Sequence, residues 1–222
     1  MGVRKVFTDR RAGNLGDHVG DDPARVKNNR DKLSALLGVD LVFMEQIHSP
    51  TVTEVTADNL ASPVPATDAL VTTLNNVGLV VLTADCVPVL LSDEDAGIIA
   101  AVHAGRMGAR NGIIRRTVQR MEELGAVPAN IHALMGAAAS GEKYEVPEDM
   151  AADVESKLPG SRTTTVEGTC GIDVRAGLTR QLLSLGVRSI DADPRCTITE
   201  DNFFSYRREG ATGRQAGVIW ME

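Results

Sequence analysis

Cys86, His103 and His48 are the residues of this 222-residue chain whose types and placing could do chemistry. Cys86 stands near the start, and His103 near the end, of the stretch TADCVPVLLSDEDAGIIAAVHAGR, Thr83 to Arg106. Within it, Cys86 to Leu91 and Gly97 to Val102 are rich in Val, Ile and Leu, and the acidic turn Ser92-Asp93-Glu94-Asp95 divides them. This is the pattern of a hairpin of buried strands. Antiparallel pairing across that turn brings the thiol and the imidazole to the same end of a sheet. His48 lies in the turn Ile47-His48-Ser49-Pro50, at the end of another apolar run. One thiolate and two imidazoles suit a catalytic zinc site, which takes three protein ligands and keeps a position open. No local zinc motif joins them. Spacing alone therefore favours a plainer reading, a buried structural thiol and two histidines that satisfy backbone groups. The same donors also fit a blue-copper site with a nearby Met as axial ligand, or a metal-free enzyme in which His103 activates Cys86.

Other residues carry weaker signals. Arg10, Arg106, Arg207 and Arg208 can each supply the guanidinium fork that grips phosphate, although an isolated arginine is usually only solvated. Arg10 shares the Gly- and Asp-rich loop Thr8 to Asp22 with Asn14 and His18. Asp85, beside Cys86, can orient a ligand or shuttle a proton, or serve as a turn residue. Phe203, Phe204 and Tyr206 can stack on a base, while the alternation of Phe204 and Tyr206 equally fits a half-buried strand. Gly105 and Gly108 do not form a phosphate-binding P-loop.

The elements that must position these groups are legible from periodicity. Strands are expected at Val3 to Phe7, Leu41 to Gln46, Thr51 to Ala57, Asp68 to Thr73 and Val77 to Thr83, then in the hairpin, and at Ile131 to Met135, Val187 to Ile190 and Gln215 to Met221. Asp22, Pro23 and Gly38 bracket a helix carrying Val26, Leu33, Leu36 and Leu37. Further helices are expected from Asn111 to near Gly125, from Pro147 to Leu158 and from Ile172 to Leu185. A Thr-rich turn separates the last two, and an Arg-rich loop runs from Tyr206 to Arg214. Strands outnumber helices and often follow one another directly, so the expected class is α+β, with mixed strand-rich sheets, in one domain spanning residues 1–222.

Composition narrows the function classes. A hydrophobic fraction of 43% and a charged fraction of 24% describe an ordinary globular chain. The net charge of −7 argues against a broad nucleic-acid footprint, yet leaves room for a small basic pocket. No apolar run reaches the roughly 18 residues of a membrane span, and no secretory leader is expected. Three widely spaced cysteines, Cys86, Cys170 and Cys196, suggest neither a disulfide framework nor a redox pair. A cytoplasmic protein that binds neither membranes nor nucleic acid is the expectation.

Several stretches together resemble the laccase-domain or YfiH-like family, whose members are described both as polyphenol oxidases and as multifunctional purine nucleoside phosphorylases. They are NLGDHVGDDP from Asn14, QIHS from Gln46, ATDALVT from Ala66, TADCVPVLL from Thr83, HAGR from His103, YEV from Tyr144 and FFSYRREGATGRQAGVI from Phe203. The resemblance implies a layered α/β sandwich like that of the YfiH-type cysteine hydrolase fold, and it implies that His48, Cys86 and His103 are zinc ligands. It also implies phosphorolysis of adenosine, inosine, guanosine and methylthioadenosine, and hydrolytic deamination of adenosine. Expected substrates are thus small purine nucleosides and phosphate, and expected catalytic residues are Cys86, His103, Asp85 and Arg10. Phosphate held against C1′ of the ribose needs cationic clamps, a role that falls to Arg10 and Arg106, with Asn14 in the same binding region. Deamination needs a proton shuttle, for which Asp85 and Glu45 are the candidates, because the usual deaminase signature of HxE followed by PCxxC is absent. The family's older assignment is a copper-dependent laccase. Of the four histidines only His18 and His132 remain for a trinuclear copper cluster, which argues against that reading. The chain departs from the family where Gly136 to Val146 reads GAAASGEKYEV, with Glu142 and Lys143 in place of cysteines.

Overall fold

The computed structural model describes residues 2–60 and 62–222. In chain order its strands are β1 (Val3–Phe7), β2 (Asp40–Val42), β3 (Val52–Glu54), β4 (Ala69–Thr72), β5 (Val77–Thr83), β6 (Val87–Asp93), β7 (Ile98–Ala104), β8 (His132–Met135), β9 (Arg162–Thr164), β10 (Cys170–Ile172), β11 (Ser189–Ala192) and β12 (Gln215–Met221). The helices are α1 (Pro23–Leu37), α2 (Arg106–Arg110), α3 (Ile113–Glu123), α4 (Glu148–Lys157), α5 (Val174–Ser184) and α6 (Tyr206–Glu209). One sheet runs β1-β12-β5-β2, the other β11-β8-β6-β7-β4-β3, and β9 pairs with β10 as a ribbon. Parallel pairs (β2 with β5, β3 with β4, β8 with β11) stand beside antiparallel ones, which makes both sheets mixed.

Strand alternation sorts the core into layers. On β5, Leu79 and Val81 join Leu90, Ile99, Ala101 and Ile219 between the two sheets. Val80 and Leu82 face the opposite way and pack with Val218, Trp220 and Leu33 of α1. On β7, Ala100 and Val102 pack with Ile114 and Val118 of α3 and Leu178 and Leu182 of α5. The result is a helix–sheet–sheet–helix sandwich, in agreement with the α+β expectation. By the same parity His103 falls on the side of Ile99 and Ala101, at the end where β7 leaves the core.

The hairpin is antiparallel as expected, but β6 begins after Cys86 and runs on through Ser92 and Asp93, which pair with Ile99 and Ile98 instead of forming the turn. Val87 pairs with Ala104 and Pro88 with His103, which leaves Cys86 one residue beyond the last pair, beside His103. On the other flank of β7, β4 pairs Ala69 with Val102, and Asp68 continues the ladder by accepting from the His103 N–H at 2.8 Å. Helix α1 also follows the sequence. Asp22 caps Ala24 N at 3.0 Å, Pro23 takes the first turn, and Gly38 closes the helix at φ 72°.

Several boundaries differ from the sequence reading. Asn111 does not begin a helix, because it ends α2, and α3 starts after Gly112, whose φ of 85° turns the chain between the two. The Thr-rich turn contains β9 and β10, each too short to show alternation. The strands expected at Leu41 to Gln46 and Thr51 to Ala57 contract to the three-residue β2 and β3. Phe204 and Tyr206 do not share a strand: Phe203 and Phe204 are buried in a loop, and Tyr206 starts α6, which Ser205 caps through Arg208 N at 3.2 Å.

Candidate metal centre and its cleft

Three chain segments converge at the open end of the hairpin. The side-chain donor atoms of His48, Cys86 and His103 all lie within 4.8 Å of one another, with Cys86 Sγ 3.9 Å from His48 Nε2. Asp68, fully buried, holds this arrangement from behind. Its Oδ1 accepts from His103 Nδ1 at 2.8 Å and from His48 N at 2.9 Å. Its Oδ2 accepts from Ser49 N at 2.6 Å and Ser49 Oγ at 2.8 Å. A proton fixed on Nδ1 leaves Nε2 of His103 as the free donor, which is how metal-binding histidines are oriented. His48 adopts φ 61° and Asp85 φ 95°, left-handed conformations that non-glycine residues rarely occupy away from functional sites. Both are held there by hydrogen bonds to other segments, His48 N donating to Asp68 and Asp85 accepting from Ala139 N, Thr197 Oγ1 and Arg207 N.

The donor set and the space between the donors fit an ion. Gly105 lies beneath them, and a Cβ on it would stand 2.9 Å from His48 Cδ2, 3.0 Å from Cys86 Sγ and 3.5 Å from His103 Cε1. Any larger residue would push the donors apart. Among the protein groups alone, burial drives the Cys86 thiol up, but the charge of His103 and bonding to both imidazoles bring it down to about 6. Burial likewise lowers His103, yet Cys86 and the Asp68 carboxylate raise it to about 9. Burial pushes Asp68 up too, and the His103 and Ser49 hydrogen bonds more than reverse it, leaving this carboxyl below its usual range. A thiolate is therefore available at neutral pH, as metal ligation requires. Among the described residues this is the one cluster of three or more such donors that could hold an ion. The remaining histidines are outside this donor group: His132 contacts Asp191 at 2.9 Å and Lys5 at 2.6 Å, and His18, on the wall of the adjoining cleft, faces Asp17 at 3.6 Å.

The donors open onto a cleft of about 510 Å³. Arg106, Arg207 and Arg214 line it, and among the described residues none of the three has a carboxylate within ion-pair distance. Arg207 lies over the ring of Tyr144, 5.0 Å from its centroid. Asp85 also lines the cleft, but its carboxylate accepts from Thr197 Oγ1 at 2.6 Å and Arg207 N at 2.7 Å and so braces the cleft wall.

The four arginines singled out by sequence thus divide. Arg106 and Arg207 face the cleft, whereas Arg10 and Arg208 both pair with Glu209 and donate to the Phe203 carbonyl. Arg10 also stacks on Phe204, 4.5 Å from its centroid, outside the cleft lining. Asn14 is buried away from the lining, and Glu45 is exposed, accepting from Ala66 N at 3.2 Å. Sequence reasoning gave no role to Asp68, Tyr144 or Arg214, and read Gly105 only as a small residue that leaves room for a ligand to approach. All four fall inside stretches that carried the family resemblance.

Comparison with known proteins agrees with the resemblance. Residues 4–222 match the family described as multi-copper polyphenol oxidoreductase laccase. A purine nucleoside phosphorylase of Corynebacterium glutamicum is 64% identical over 234 residues, covering 99% of this chain and 94% of that protein. A purine nucleoside phosphorylase of Mycobacterium tuberculosis is 50% identical over 232 residues, covering 99% and 92%. Among solved structures, the hypothetical protein YfiH of Bacillus licheniformis superposes with a TM-score of 0.91 at 30% identity, covering 99% and 93%. A DUF152 protein of Neisseria meningitidis gives 0.89 at 33%, covering 99% and 94%. With a family match over nearly its whole length, the chain belongs to the laccase-like polyphenol oxidoreductase family, alongside relatives named purine nucleoside phosphorylase.

Proposed function

We propose that the chain is a zinc-dependent purine nucleoside phosphorylase, acting on adenosine, inosine, guanosine and methylthioadenosine, and that the same cleft deaminates adenosine hydrolytically. The observation that carries this reading is the His48–Cys86–His103 group opening onto a cleft that combines aromatic rings with arginines lacking carboxylates. Tyr144 and Tyr206 offer flat apolar surface to a purine. The arginines offer charge to phosphate. The names of the relatives point the same way.

In phosphorolysis a phosphate oxygen bonds to C1′ as the glycosidic C–N bond breaks, and the base leaves with a proton. Arg106 would hold the phosphate, while Arg10 and Asn14 would support the wall from outside the lining. In deamination water adds at C6 of adenine and ammonia leaves. Asp85 is the carboxylate on the cleft and would carry the proton. His48, Cys86 and His103 would hold the zinc, which supplies Lewis acidity when bound. Asp68 keeps Nε2 of His103 aimed at the ligand position. Three free cysteines suit a reducing compartment such as the cytoplasm.

One observation favours a second reading. Asp68, His103 and Cys86 form a chain in which the carboxylate orients an imidazole beside a lowered thiol, the arrangement of a Cys–His hydrolase. Copper bound by the same three donors would be the oxidase alternative.

Metal analysis by mass spectrometry, paired with chromatography of adenosine and inosine with and without phosphate, tests these readings. The expected result is one equivalent of zinc, lost in His48→Ala and Cys86→Ala, with base released from inosine only when phosphate is present. Stoichiometric copper without nucleoside turnover would establish the oxidase. Activity that survives metal removal and dies on alkylation of Cys86 would establish the hydrolase.

A further inference from the structure

We infer that Arg214 binds the phosphoryl dianion in this cleft together with Arg106, and that Asn14 is the residue that positions Arg214. As an assignment of the co-substrate's site this rests on the phosphorylase reading. The anion site itself rests on the following geometry.

Arg214 lines the cleft, and its described hydrogen bonds engage only one terminal nitrogen. Nη1 donates to the Thr212 carbonyl at 2.8 Å and the Gly213 carbonyl at 3.0 Å, both in its own loop. Nη2 and Nε remain for a ligand, and two N–H groups on one edge of a guanidinium match two oxygens of a phosphate.

The seat of Arg214 is unusually well built. Asn14 is 8% exposed, and its Oδ1 accepts from Arg214 N at 2.9 Å and from Gly16 N at 2.8 Å. Its Nδ2 donates to the Gly16 carbonyl at 2.9 Å and to Asp21 at 3.0 Å. Leu15 N donates to the Arg214 carbonyl at 3.1 Å, so residues 14–16 grip the Arg214 backbone from both sides. The side-chain stem lies flat on Gly16, where a Cβ would come within 2.7 Å of Arg214 Cγ. This arrangement aims a cation, and a partly buried cation without a partner is costly unless an anion completes it.

The neighbours fit the same purpose. Burial lowers the pKa of Arg214, and the charges of Cys86 and Asp85 oppose that burial only in part. His18 stands beside it in the cleft lining, and burial together with the Arg214 charge keeps His18 neutral. A neutral imidazole can hydrogen-bond a phosphate without repelling Arg214. Arg106 and Arg207 bring two further positive charges from α2 and α6, so the cleft can neutralise a dianion. That phosphoryl group is either free phosphate or the 5′-phosphate of a nucleotide.

The test uses the full-length zinc-loaded protein. Calorimetry would follow binding of inorganic phosphate, and of adenosine 5′-monophosphate, to the wild type, Arg214→Met, Arg214→Lys and Asn14→Ala. Steady-state assays would give KM for phosphate and for inosine. For Arg214→Met the expected result is a rise of about tenfold or more in Kd and KM for phosphate, with KM for inosine and the zinc content unchanged. Arg214→Lys keeps the charge without the fork and should fall between. Asn14→Ala should raise KM for phosphate while KM for inosine and the zinc content stay unchanged, and Asn14→Asp, whose carboxylate would face the Gly16 carbonyl and Asp21, should not restore it. A phosphate Kd that stays at the wild-type value in folded Arg214→Met would overturn the assignment. Arg214-dependent phosphate binding without any phosphorolysis would sink the phosphorylase reading and leave the anion site standing. Tighter Arg214-dependent binding of the monophosphate would also support the site and name the nucleotide as its source.

Discussion

Two regions of the molecule use charge in opposite ways. At Asp68 and Glu209 a single carboxylate gathers several donors, and each makes a closed knot. Asp68 takes His103 and the Ile47–Ser49 backbone, while Glu209 takes Arg10, Arg208 and Thr212. Along the cleft, Arg106, Arg207 and Arg214 take no carboxylate at all, in a chain with 30 acidic and 23 basic residues. Arg115 and Arg116 also lack such partners, but they lie on α3, outside the cleft lining. Three converging arginines in a cavity are different. Knots of the first kind hold structure, and open walls of the second kind await a ligand.

The sharpest way to break this contrast is to remove the knot at Asp68. Asp68→Ala leaves three backbone N–H groups and His103 Nδ1 without their acceptor. Metal affinity should fall about 10–100-fold, and thermal unfolding should show a loss on the order of 3 kcal/mol. A variant that keeps wild-type zinc affinity in a competitive chelator titration would show that the knot does not orient the donors.

Glu209→Ala should cost less, about 1–2 kcal/mol in denaturant unfolding, because its ion pairs are part-exposed. Zinc content should not change. Burial pushes the Glu209 carboxyl up, but Thr212, Arg208 and Arg10 hold it below the usual range. A depressed carboxyl stabilises the fold above its unfolded pKa of about 4.3 and loses that contribution as pH falls through the folded value. The deficit of Glu209→Ala should therefore be largest at neutral pH and shrink below about pH 4. A deficit independent of pH would mean that packing, not charge, is what Glu209 supplies.

Arg207→Ala tests the other side of the comparison and has the smallest effect on the fold. Stability should stay within about 0.5 kcal/mol, while KM for phosphate rises severalfold. A loss of stability as large as that of Glu209→Ala would make Arg207 another structural arginine, held by Tyr144.

Much of the fold was legible because buried strands and capped helices carry local patterns. The antiparallel hairpin followed from two apolar runs and one acidic turn, and it put Cys86 and His103 at the same end of a sheet without any homologue. His48 was harder, since nothing local relates a turn histidine to a hairpin 38 residues on. Its residue type and its place at a strand end made it a candidate, and the family resemblance is what made it a ligand. Arg10 and Arg208 could not be told from Arg106 and Arg207 by sequence, because what separates them is the position of one carboxylate, Glu209. Asp68 reads as the polar residue ahead of an apolar strand, and its hydrogen bonds come from segments that only the folded sheet brings near. The short β9 and β10 lacked the length for alternation to show.

The order of strands in the smaller sheet sets a sequence of events during synthesis. All three candidate metal donors and Asp68 lie within the first 103 residues, so they leave the ribosome before Arg214. Arg214 immediately precedes β12, which occupies the place between β1 and β5. That sheet stays split until β12 slots in, and the same insertion carries Arg214 to its seat on Gly16. A prematurely terminated chain would possess every metal donor yet lack both a closed sheet and the cleft's last arginine.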